Sequence, residues 1–366
     1  MKNLSYKFNK VLIGTCLLSA CAIVLNSCGG GAKDKSSGAG DVKKLQGLNL
    51  VWDASSYINS LTAIAKEEGF YKDYGLDIKY SLMMGAPIDF VNALMSKKIE
   101  VLNTGGTAGL LTLMERGDGD VVIIGGIMSE GAALVTLPKN ASKWPEFTNE
   151  TLAGKKIGVT RASSGDITFR TYLDDNGVDK TKYTMVELGH ASAIIEAVRK
   201  GEVDAGIVYV RFRRLSETSG LTIVKHIDEL VPNFTCCRIA VWRETIDTKR
   251  DELVAFLKGQ IRAYRIYVTD KERALKSVTK NFEVEEALLR DELYDFGHFN
   301  IVPDPYKERV KKFYKGMTGI GYTQGTLDLE KQIDVTLYRD ALEQLLAEEP
   351  SDPVFLELKR IFVEYN

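Results

Sequence analysis

The sequence predicts an α/β protein of two lobes, each built on a sheet of β-strands with helices on its faces. Short runs rich in Val and Ile alternate with segments of helical periodicity over much of the chain, and this alternation is typical of parallel βαβ units. The segment from Ala93 aligns without gaps with the segment from Ala197, at an offset of 104 residues. This short repeat indicates that one βαβ element is built once per lobe.

Length and composition are those of an ordinary globular protein. The chain has 366 residues, of which 45% are hydrophobic and 27% are charged, and its formal net charge is −2. This length allows two domains with full cores. A mildly acidic chain gives no electrostatic reason to bind nucleic acid. We expect a monomer without a nucleic-acid partner.

The first 28 residues have the pattern of an export signal. Three lysines precede an apolar run from Val11 to Leu25, which is short for a membrane-spanning helix. The run ends in LNSC at Cys28, which resembles a bacterial lipobox, whose cysteine is acylated and becomes the new N-terminus. LSAC at Cys21 fits the same pattern, but the apolar run continues past it. We therefore expect a lipid anchor at Cys28, and an uncleaved N-terminal anchor is the alternative.

A flexible tether and then the predicted strands and helices follow in chain order. The tether, residues 29–46, is rich in Gly and Ser. The predicted strands are LNLVW, LDIKYSLM, VLNTG, VVIIGG, KIGVT, TMVELG, AGIVYV, LTIVK and FTCCRIAVW. The predicted helices are SLTAIAKEEGF, IDFVNALMSKK, LLTLMERG, ITFRTYLDDNG and SAIIEAVRKG. Each helix ends near Gly or Lys, as helix termini do.

The C-terminal third changes to amphipathic helices from about Thr245, and no further strand is expected there. The last helix begins at Pro353, with Ser351 or Asp352 as its cap. We expect these helices to pack on the first lobe.

The five cysteines do not form a disulfide framework. Cys16 and Cys21 lie in the signal segment, Cys28 lies in the lipobox, and Cys236 and Cys237 are neighbours on a predicted strand. Successive strand residues point to opposite faces, which favours two small buried side chains over a disulfide between them. No second Cys or His pair has zinc-ligand spacing, so no metal is expected.

Four segments resemble the bacterial solute-binding proteins of the nitrate, sulfonate, taurine and bicarbonate type, which are related to the thiamine-pyrimidine group. They are GFYKDYGLDIKY, ALMSKKIEVLNTG, TLAGKKIGVTRASSGD and GHASAIIEAVRKGEVDAGIVY. The resemblance covers about residues 47–345. It implies a type II periplasmic-binding-protein fold with the ligand in a cleft between the lobes. It also implies delivery to an ABC permease with its ATPase, and no catalysis.

The resemblance further implies that the chain crosses between the lobes twice. We place these crossings near Leu137 and near Phe234. Lobe 1 then comprises residues 47–136 and 236–366, and lobe 2 comprises residues 137–235.

The candidate binding residues follow the predicted strands, because ligands of open α/β sheets bind beyond the carboxyl ends of strands. These candidates are Asp53, Ser55, Ser56, Tyr57, Gly85, Gly105, Gly106, Thr107, Arg161, Ser163, Ser164, His190, Tyr209 and Arg211. The glycines and hydroxyls of residues 105–107 and 163–165 suit turns that grip an anion. Such residues also cap helices wherever a helix begins, and that is the structural alternative.

The aromatic and basic candidates have alternatives too. His190 stands at a predicted helix N-terminus and binds the ligand or caps its own turn. Tyr209 forms a cleft wall or packs in the core. The run of Arg211, Arg213 and Arg214 places a guanidinium at the cleft mouth or forms a solvated basic loop, and we favour the loop for Arg213 and Arg214. We interpret the two remaining histidines, at positions 226 and 298, as surface or packing residues.

The ligand class stays open between two chemistries. Arg161 and Arg211 on facing rims favour a sulfonate, a nitrate-like or bicarbonate-like anion, or a carboxylate. Asp53 would repel a bare anion, and Trp52 with Tyr57 leaves room for a planar group. A zwitterion or a heteroaromatic such as a thiamine-type pyrimidine is the alternative.

Two further function classes are weighed against an importer component. The related thiamine-pyrimidine synthases use an active-site His and bind pyridoxal phosphate through a Lys, but an export signal and the absence of that group's cysteine cluster argue against an enzyme. No Ser-His-Asp, paired-carboxylate or Walker signature is present either. We therefore expect neither catalysis nor a cofactor. A sensor input domain shares the fold, but sensors usually continue into a transmembrane helix, and this sequence stops at Asn366.

Overall fold

The computed structural model describes residues 44–53, 57–117, 119–282 and 284–366. Within these ranges, no helix has both the length and the apolar character needed to cross a membrane. The predicted signal segment, the lipidation candidates Cys21 and Cys28, most of the tether and the candidates Ser55 and Ser56 lie outside the described residues.

The described residues form eleven strands and fifteen α-helices. The strands are β1 (Leu48–Asp53), β2 (Ile78–Met83), β3 (Val101–Leu102), β4 (Val121–Glu130), β5 (Ala132–Thr136), β6 (Lys156–Thr160), β7 (Thr184–Leu188), β8 (Ala205–Tyr209), β9 (Thr222–His226), β10 (Thr235–Trp242) and β11 (Phe299–Ile301). The helices are α1 (Ser60–Glu67), α2 (Phe70–Asp73), α3 (Pro87–Met95), α4 (Thr107–Glu115), α5 (Ser164–Asp175), α6 (Ala191–Lys200), α7 (Arg211–Thr218), α8 (Arg243–Thr248), α9 (Arg250–Thr269), α10 (Lys271–Thr279), α11 (Glu286–Arg290), α12 (Lys307–Gly319), α13 (Leu329–Gln332), α14 (Thr336–Glu348) and α15 (Pro353–Tyr365).

The strands form two sheets with the same plan. The first sheet has the order β11-β4-β10-β3-β1-β2, and the second has the order β7-β6-β8-β5-β9. Strand β1 is parallel to β2 and β3, and β6 is parallel to β7 and β8. Strand β10 is antiparallel to β3 and β4, and β5 is antiparallel to β8 and β9. The prediction of a two-lobed α/β fold is confirmed.

The internal repeat marks equivalent elements of the two sheets. Strand β3 begins at Val101 and β8 at Ala205, which keeps the offset of 104 residues. The helices before them, α3 and α6, connect equivalent parallel strands, as βαβ units require.

The chain enters the second sheet earlier than the sequence predicts. Strand β5 follows β4 after Gly131 and pairs in the second sheet, so the passage lies near Gly131 rather than near Leu137. A φ of 89° at Gly131 permits the sharp turn. Residues 121–136 are apolar apart from the short interruption at Ser129-Glu130-Gly131. Such an interruption marks a turn but does not show that the next strand joins another sheet. The return falls between β9 and β10, and the lobe boundaries as ranges stay a prediction.

Several elements differ from the predicted ones, and strand β5 and helix α7 are absent from the prediction. Strand β11 lies in the C-terminal part, where no strand was expected, and pairs antiparallel with β4. Three residues are too few for strand alternation to stand out within a helical region. The predicted helix SLTAIAKEEGF is divided into α1 and α2, because Gly69 between them has a φ of 75°.

Both faces of each sheet are covered by apolar side chains. Leu50 and Val51 are successive residues of β1 and belong to different clusters of buried residues, as do Ile207 and Val208 of β8. Successive strand side chains point to opposite faces, so each sheet lies between two apolar layers. Packing of these apolar side chains on both faces fixes the positions of the strands and of their ends.

The last helix is capped as predicted. The Asp352 carboxylate accepts hydrogen bonds from the backbone N–H groups of Val354 and Phe355 at 2.9 and 3.0 Å, and Pro353 occupies the first turn. Phe355 and Leu358 are fully buried in the core of the first lobe. The C-terminal helices therefore do pack on the first lobe.

Candidate ligand-binding cleft

A cavity of about 370 Å³ lies between the two sheets. Residues of β4, β5 and β10 form part of its wall, and the rest of the wall lies at the ends of β1, β2 and β3 of the first sheet and of β6, β7 and β8 of the second. These are the carboxyl ends of parallel strands, where helix N-termini present unpaired backbone N–H groups. The volume falls in the range of about 300–1,000 Å³ that is usual for small-molecule sites.

Nine of the fourteen predicted binding residues line this cavity. They are Asp53, Gly85, Gly105, Gly106, Ser163, Ser164, His190, Tyr209 and Arg211. Gly85 with Gly189, and Gly105 with Tyr209, are equivalent in the repeat, and all four line the cavity. Whether these residues contact a ligand stays a prediction.

Thr107 does not line the cavity. It lies in the first turn of α4 with 1% of its surface exposed. Thr104 lines the cavity instead, because β3 ends at Leu102 rather than at the end of VLNTG. A shorter strand assignment would have identified Thr104 from the sequence.

Tyr57 lies in a buried cluster rather than in the cleft wall. Its side chain is 2% exposed, and burial, followed by the negative charge of Glu292, raises its pKa. Glu292 in turn pairs with Arg213 at 3.3 Å. Trp52 also turns away from the cleft and stacks on Phe282, with ring centroids 5.3 Å apart. The planar group predicted from Trp52 and Tyr57 therefore has no place between them.

Arg161 lies outside the cavity as well. Its side chain is 71% exposed, and its Nε lies 3.9 Å from a carboxylate oxygen of Glu187. Ala162, with a φ of 57°, turns the chain directly after it. Arg161 borders a separate concavity with Tyr322, so the facing arginines predicted from the sequence do not meet.

Ser163 and Ser164 begin α5 at the cleft wall. The hydroxyl of Ser163 accepts a hydrogen bond from the backbone N–H of Asp166 at 3.3 Å, which makes it the N-cap. The hydroxyl of Ser164 donates to the carbonyl of Cys236 at 2.9 Å and so joins the second lobe to β10 of the first sheet. Both hydroxyls therefore have structural partners at the edge of the cavity.

His190 is the N-cap residue of α6 and is exposed toward the cleft. Its Nδ1 lies 2.6 Å from the hydroxyl of Ser192 in the same turn. That contact fits the capping alternative and leaves Nε2 as the atom with which the ring can meet a solute.

Tyr209 and Arg211 form a cation–aromatic wall with Phe212. The ring centroids of Tyr209 and Phe212 lie 5.2 Å apart, and the Arg211 guanidinium carbon lies 4.7 Å from the Phe212 centroid. Burial, and then the charge of Asp53, raises the pKa of Tyr209 to about 12. Tyr209 therefore stays neutral at ordinary pH and can only donate or accept hydrogen bonds.

The interpretation of Arg213 and Arg214 as a solvated loop is wrong. Both lie in α7, and Arg213 is fully buried, with hydrogen bonds to the carbonyls of Val210 and Gly297 at 3.1 and 3.2 Å. Arg214 is partly exposed and pairs with Asp291. Helical periodicity over eight residues gave too little signal to distinguish a helix from a loop here.

A second buried carboxylate, missed by sequence reasoning, lines the cavity beside Asp53. Glu130 is 8% exposed and Asp53 is 5% exposed. Glu130 accepts hydrogen bonds from the backbone N–H of Asn233 at 2.6 Å and from Nδ2 of Asn300 at 2.8 Å. Burial raises its pKa. Glu130 is the last residue of β4 and stands before Gly131. It was missed because the predicted strand VVIIGG ends four residues earlier.

Cys236 and Cys237 do not point to opposite faces of β10. Both line the cavity, and their Sγ atoms lie 3.3 Å apart without a bond between them. The pairing of β10 with β4 is irregular on both sides of Cys237, and such a bulge re-aims a side chain. The sequence predicts a regular strand here, and only the bulge brings the thiols together.

Among the described residues that line the cleft, no three His, Cys, Asp or Glu side chains are close enough to share one ion. A group of this kind does occur elsewhere in the described chain, at His226, Glu229 and His298.

The family model described as NMT1/THI5 like matches residues 60–274, more than half of the chain. The chain belongs to the NMT1/THI5-like family. This family member is also 25% identical over 236 residues to a Brucella abortus protein provisionally named as a binding protein, which covers 64% of this chain and 70% of that protein.

Solved structures share the fold of this NMT1/THI5-like protein. The alkanesulfonate-binding protein of Xanthomonas axonopodis pv. citri, bound to MOPS, matches with a TM-score of 0.64 and 15% identity over 80% of this chain and 99% of that one. The nitrate-binding protein of Synechocystis PCC 6803 matches with a TM-score of 0.67 and 15% identity over 82% and 89%. At these identities the likeness establishes the periplasmic-binding-protein fold.

The apolar residues that line the cleft of this NMT1/THI5-like protein were not predicted from the sequence. Phe90, Met128 and Ile207 line the cavity. Each of these residues also fits the sequence pattern of a buried core position, so the sequence does not distinguish it from a core residue.

Proposed function

We propose that this protein is the solute-binding component of an ABC importer. It captures a small polar solute between its two lobes and delivers it to a permease that an ATPase drives. The observation that carries the proposal is the cavity whose wall comes from the strand ends of both sheets. A ligand there touches both lobes at once, so its binding energy favours their closure. The names of the compared structures, an alkanesulfonate-binding and a nitrate-binding protein, support this function.

The cleft captures a solute without converting it. The compared proteins are named for binding rather than for a reaction. Recovery of a bound solute in unchanged form after unfolding of the protein would support this, and a changed molecule would contradict it.

The balance of charge favours an organic solute over a bare inorganic anion. The two nearly buried carboxylates, Asp53 and Glu130, line the cavity with one guanidinium, Arg211. The field inside a cleft of low dielectric constant repels an anion that has no compensating cationic or donor group. We infer a solute with a donor or cationic group toward Asp53 and a flat or apolar part against Tyr209 and Phe212. A sulfonate or nitrate-like anion held by Arg211 and the helix N-termini is the alternative.

Thermal unfolding of the purified protein tests the proposal. The panel comprises alkanesulfonates, nitrate, bicarbonate, amino acids and aminopyrimidines. A solute at 100 times its dissociation constant stabilises the folded state by about 2.7 kcal/mol, which raises the midpoint. Arg211→Ala removes the one guanidinium among the described cleft residues and should abolish or reduce the shift. Arg161→Ala removes an exposed guanidinium outside the cavity and should leave the shift unchanged.

The pattern of shifts decides the solute class. A shift by a zwitterion or a heteroaromatic supports the narrower inference, whereas a shift by nitrate or a simple sulfonate alone contradicts it and favours the anion. If no member of a broad solute panel shifts the midpoint, or if the two arginine variants behave alike, the cleft is not the binding site.

We further propose export of the protein and its attachment to a membrane through a lipid on Cys28. The support is the signal-like pattern and the lipobox-like LNSC. Mass spectrometry of the mature N-terminal peptide should find acylated Cys28 as the first residue. Acylation at Cys21, or a retained signal segment, would overturn this assignment.

A further inference from the structure

We propose that His226, His298 and Glu229 form a binding site for one divalent transition-metal ion such as Zn²⁺, separate from the ligand-binding cleft. One ligand atom of each side chain lies within 4.8 Å of the other two. Two imidazoles and a carboxylate, with a position left for water, are a ligand set that zinc uses in proteins. None of the three residues lines the cleft cavity.

The two imidazole rings lie side by side. They are parallel to within 2°, and their centroids are 3.5 Å apart. Two ligand atoms on a tetrahedral zinc ion lie about 3.3 Å from each other. Because a metal ion lies in the plane of each imidazole that binds it, the two rings would have to turn out of this parallel stack to share one ion. Both side chains are only partly buried.

A carboxylate orients the ring of His298. Its Nδ1 lies 2.8 Å from Oδ2 of Asp228. A metal-binding histidine usually donates its other ring N–H to such a partner, which fixes the tautomer and leaves the opposite nitrogen for the ion. In this arrangement Nε2 of His298 carries the free lone pair.

His226 supplies a ring nitrogen that no described residue engages. Its Nδ1 is buried without a hydrogen-bond partner among the described residues. A histidine binds a metal ion through the lone pair of a ring nitrogen of this kind.

The carboxylate of Glu229 is held beside the rings. One oxygen accepts a hydrogen bond from the backbone N–H of His226 at 3.1 Å, and the other lies 2.9 Å from Nζ of Lys225. Glu229 is exposed, which leaves lone pairs and solvent access for an ion.

A metal ion at this place would join the two lobes where the chain crosses between them. His226 ends β9 and pairs with Ala133 of the second sheet. His298 precedes β11 of the first sheet, and its carbonyl accepts a hydrogen bond from the N–H of Gly131 at 2.9 Å. Bound metal would therefore restrict movement at this crossing.

Equilibrium titration of the metal-free protein with Zn²⁺ tests the site. We expect one ion per chain. His298→Asn and Glu229→Gln should each weaken binding at least about 10-fold. Asn tolerates the φ of 61° at position 298, and Gln keeps an acceptor for the backbone of His226, so both variants should fold. Co²⁺ should give the visible bands of a tetrahedral site, altered in both variants.

Matched controls separate this site from the cleft. His190→Ala removes a cleft histidine, and Cys236→Ser with Cys237→Ser removes the cleft thiols. Both should leave the first equivalent of Zn²⁺ bound as tightly as in the unaltered protein. The proposal is overturned if no Zn²⁺ binds, if binding survives His298→Asn, or if it disappears in the cleft variants.

Discussion

The charged side chain of Arg213 lies in the protein interior, and none of it is exposed. Burial lowers its pKa, and the Glu292 carboxylate, equally buried, opposes that shift. Removing one partner of such a pair leaves the other charge buried without compensation, which destabilises a protein far more than the pair stabilises it. The neighbouring Arg214 is partly exposed and offers a natural comparison.

We expect Arg213→Ala to lower the free energy of unfolding by about 3–5 kcal/mol. Arg214→Ala should lower it by less than about 1 kcal/mol, because its ion pairs are screened by solvent. Urea denaturation measures both. The double variant Arg213→Met with Glu292→Leu should recover much of the loss, and a double variant as unstable as Arg213→Ala would show that lost packing is the cause.

Helix α5 contributes both to the wall of the cleft and to the pH dependence of the protein's stability. Its first turn lines the cavity, and it buries Asp166 beside Arg170, with 2.7 Å between the charged atoms. Burial raises the pKa of Asp166 to about 6, although Arg170 acts in the opposite direction. The folded protein therefore binds this proton more tightly than the unfolded chain does.

This difference predicts a pH dependence of stability. Between pH about 4 and about 6 the folded state binds more protons, so the contribution of Asp166 to stability falls as pH rises and is constant above that window. Unfolding free energies of the wild type minus those of Asp166→Asn should fall by about 1–3 kcal/mol across it. A difference that does not change with pH, or that rises, would contradict a raised pKa.

At the scale of the whole molecule, distant parts of the chain complete one core. Phe355 of α15 is fully buried in the same apolar cluster as Leu50 of β1. The second lobe has separate clusters of its own. A substitution that weakens the packing of α15 should therefore destabilise mainly the first sheet.

We expect Phe355→Ala to destabilise the protein by about 3–5 kcal/mol. Leu356→Ala, next to it and 47% exposed, should have little effect. Hydrogen exchange should show faster opening of β1 and β4 than of β6 and β8 in Phe355→Ala. Equal loss of protection in both sheets would mean that the lobes unfold as one unit.

Features of the fold and the cleft could be predicted from the sequence where they depend on residues close together in the chain. Neighbouring residues determine the alternation of strands and helices, the repeat and the Asp352 cap. The two-lobed fold and nine of the described cleft residues were predicted from these local patterns. Tyr57, Thr107 and Arg161 were misplaced, because a strand end or a turn shifted by one or two residues re-aims a side chain.

The sequence by itself determined the fold class, the family resemblance and the strand ends at which the cleft forms, because periodicity and turn chemistry act over short range. Only the tertiary structure decided the place of β5 in the second sheet, the burial of Arg213 with Glu292, the contact of Cys236 with Cys237, and the stacking of His226 on His298. These depend on strand pairing, a bulge and contacts between residues far apart in the chain, and no local pattern of residues records them.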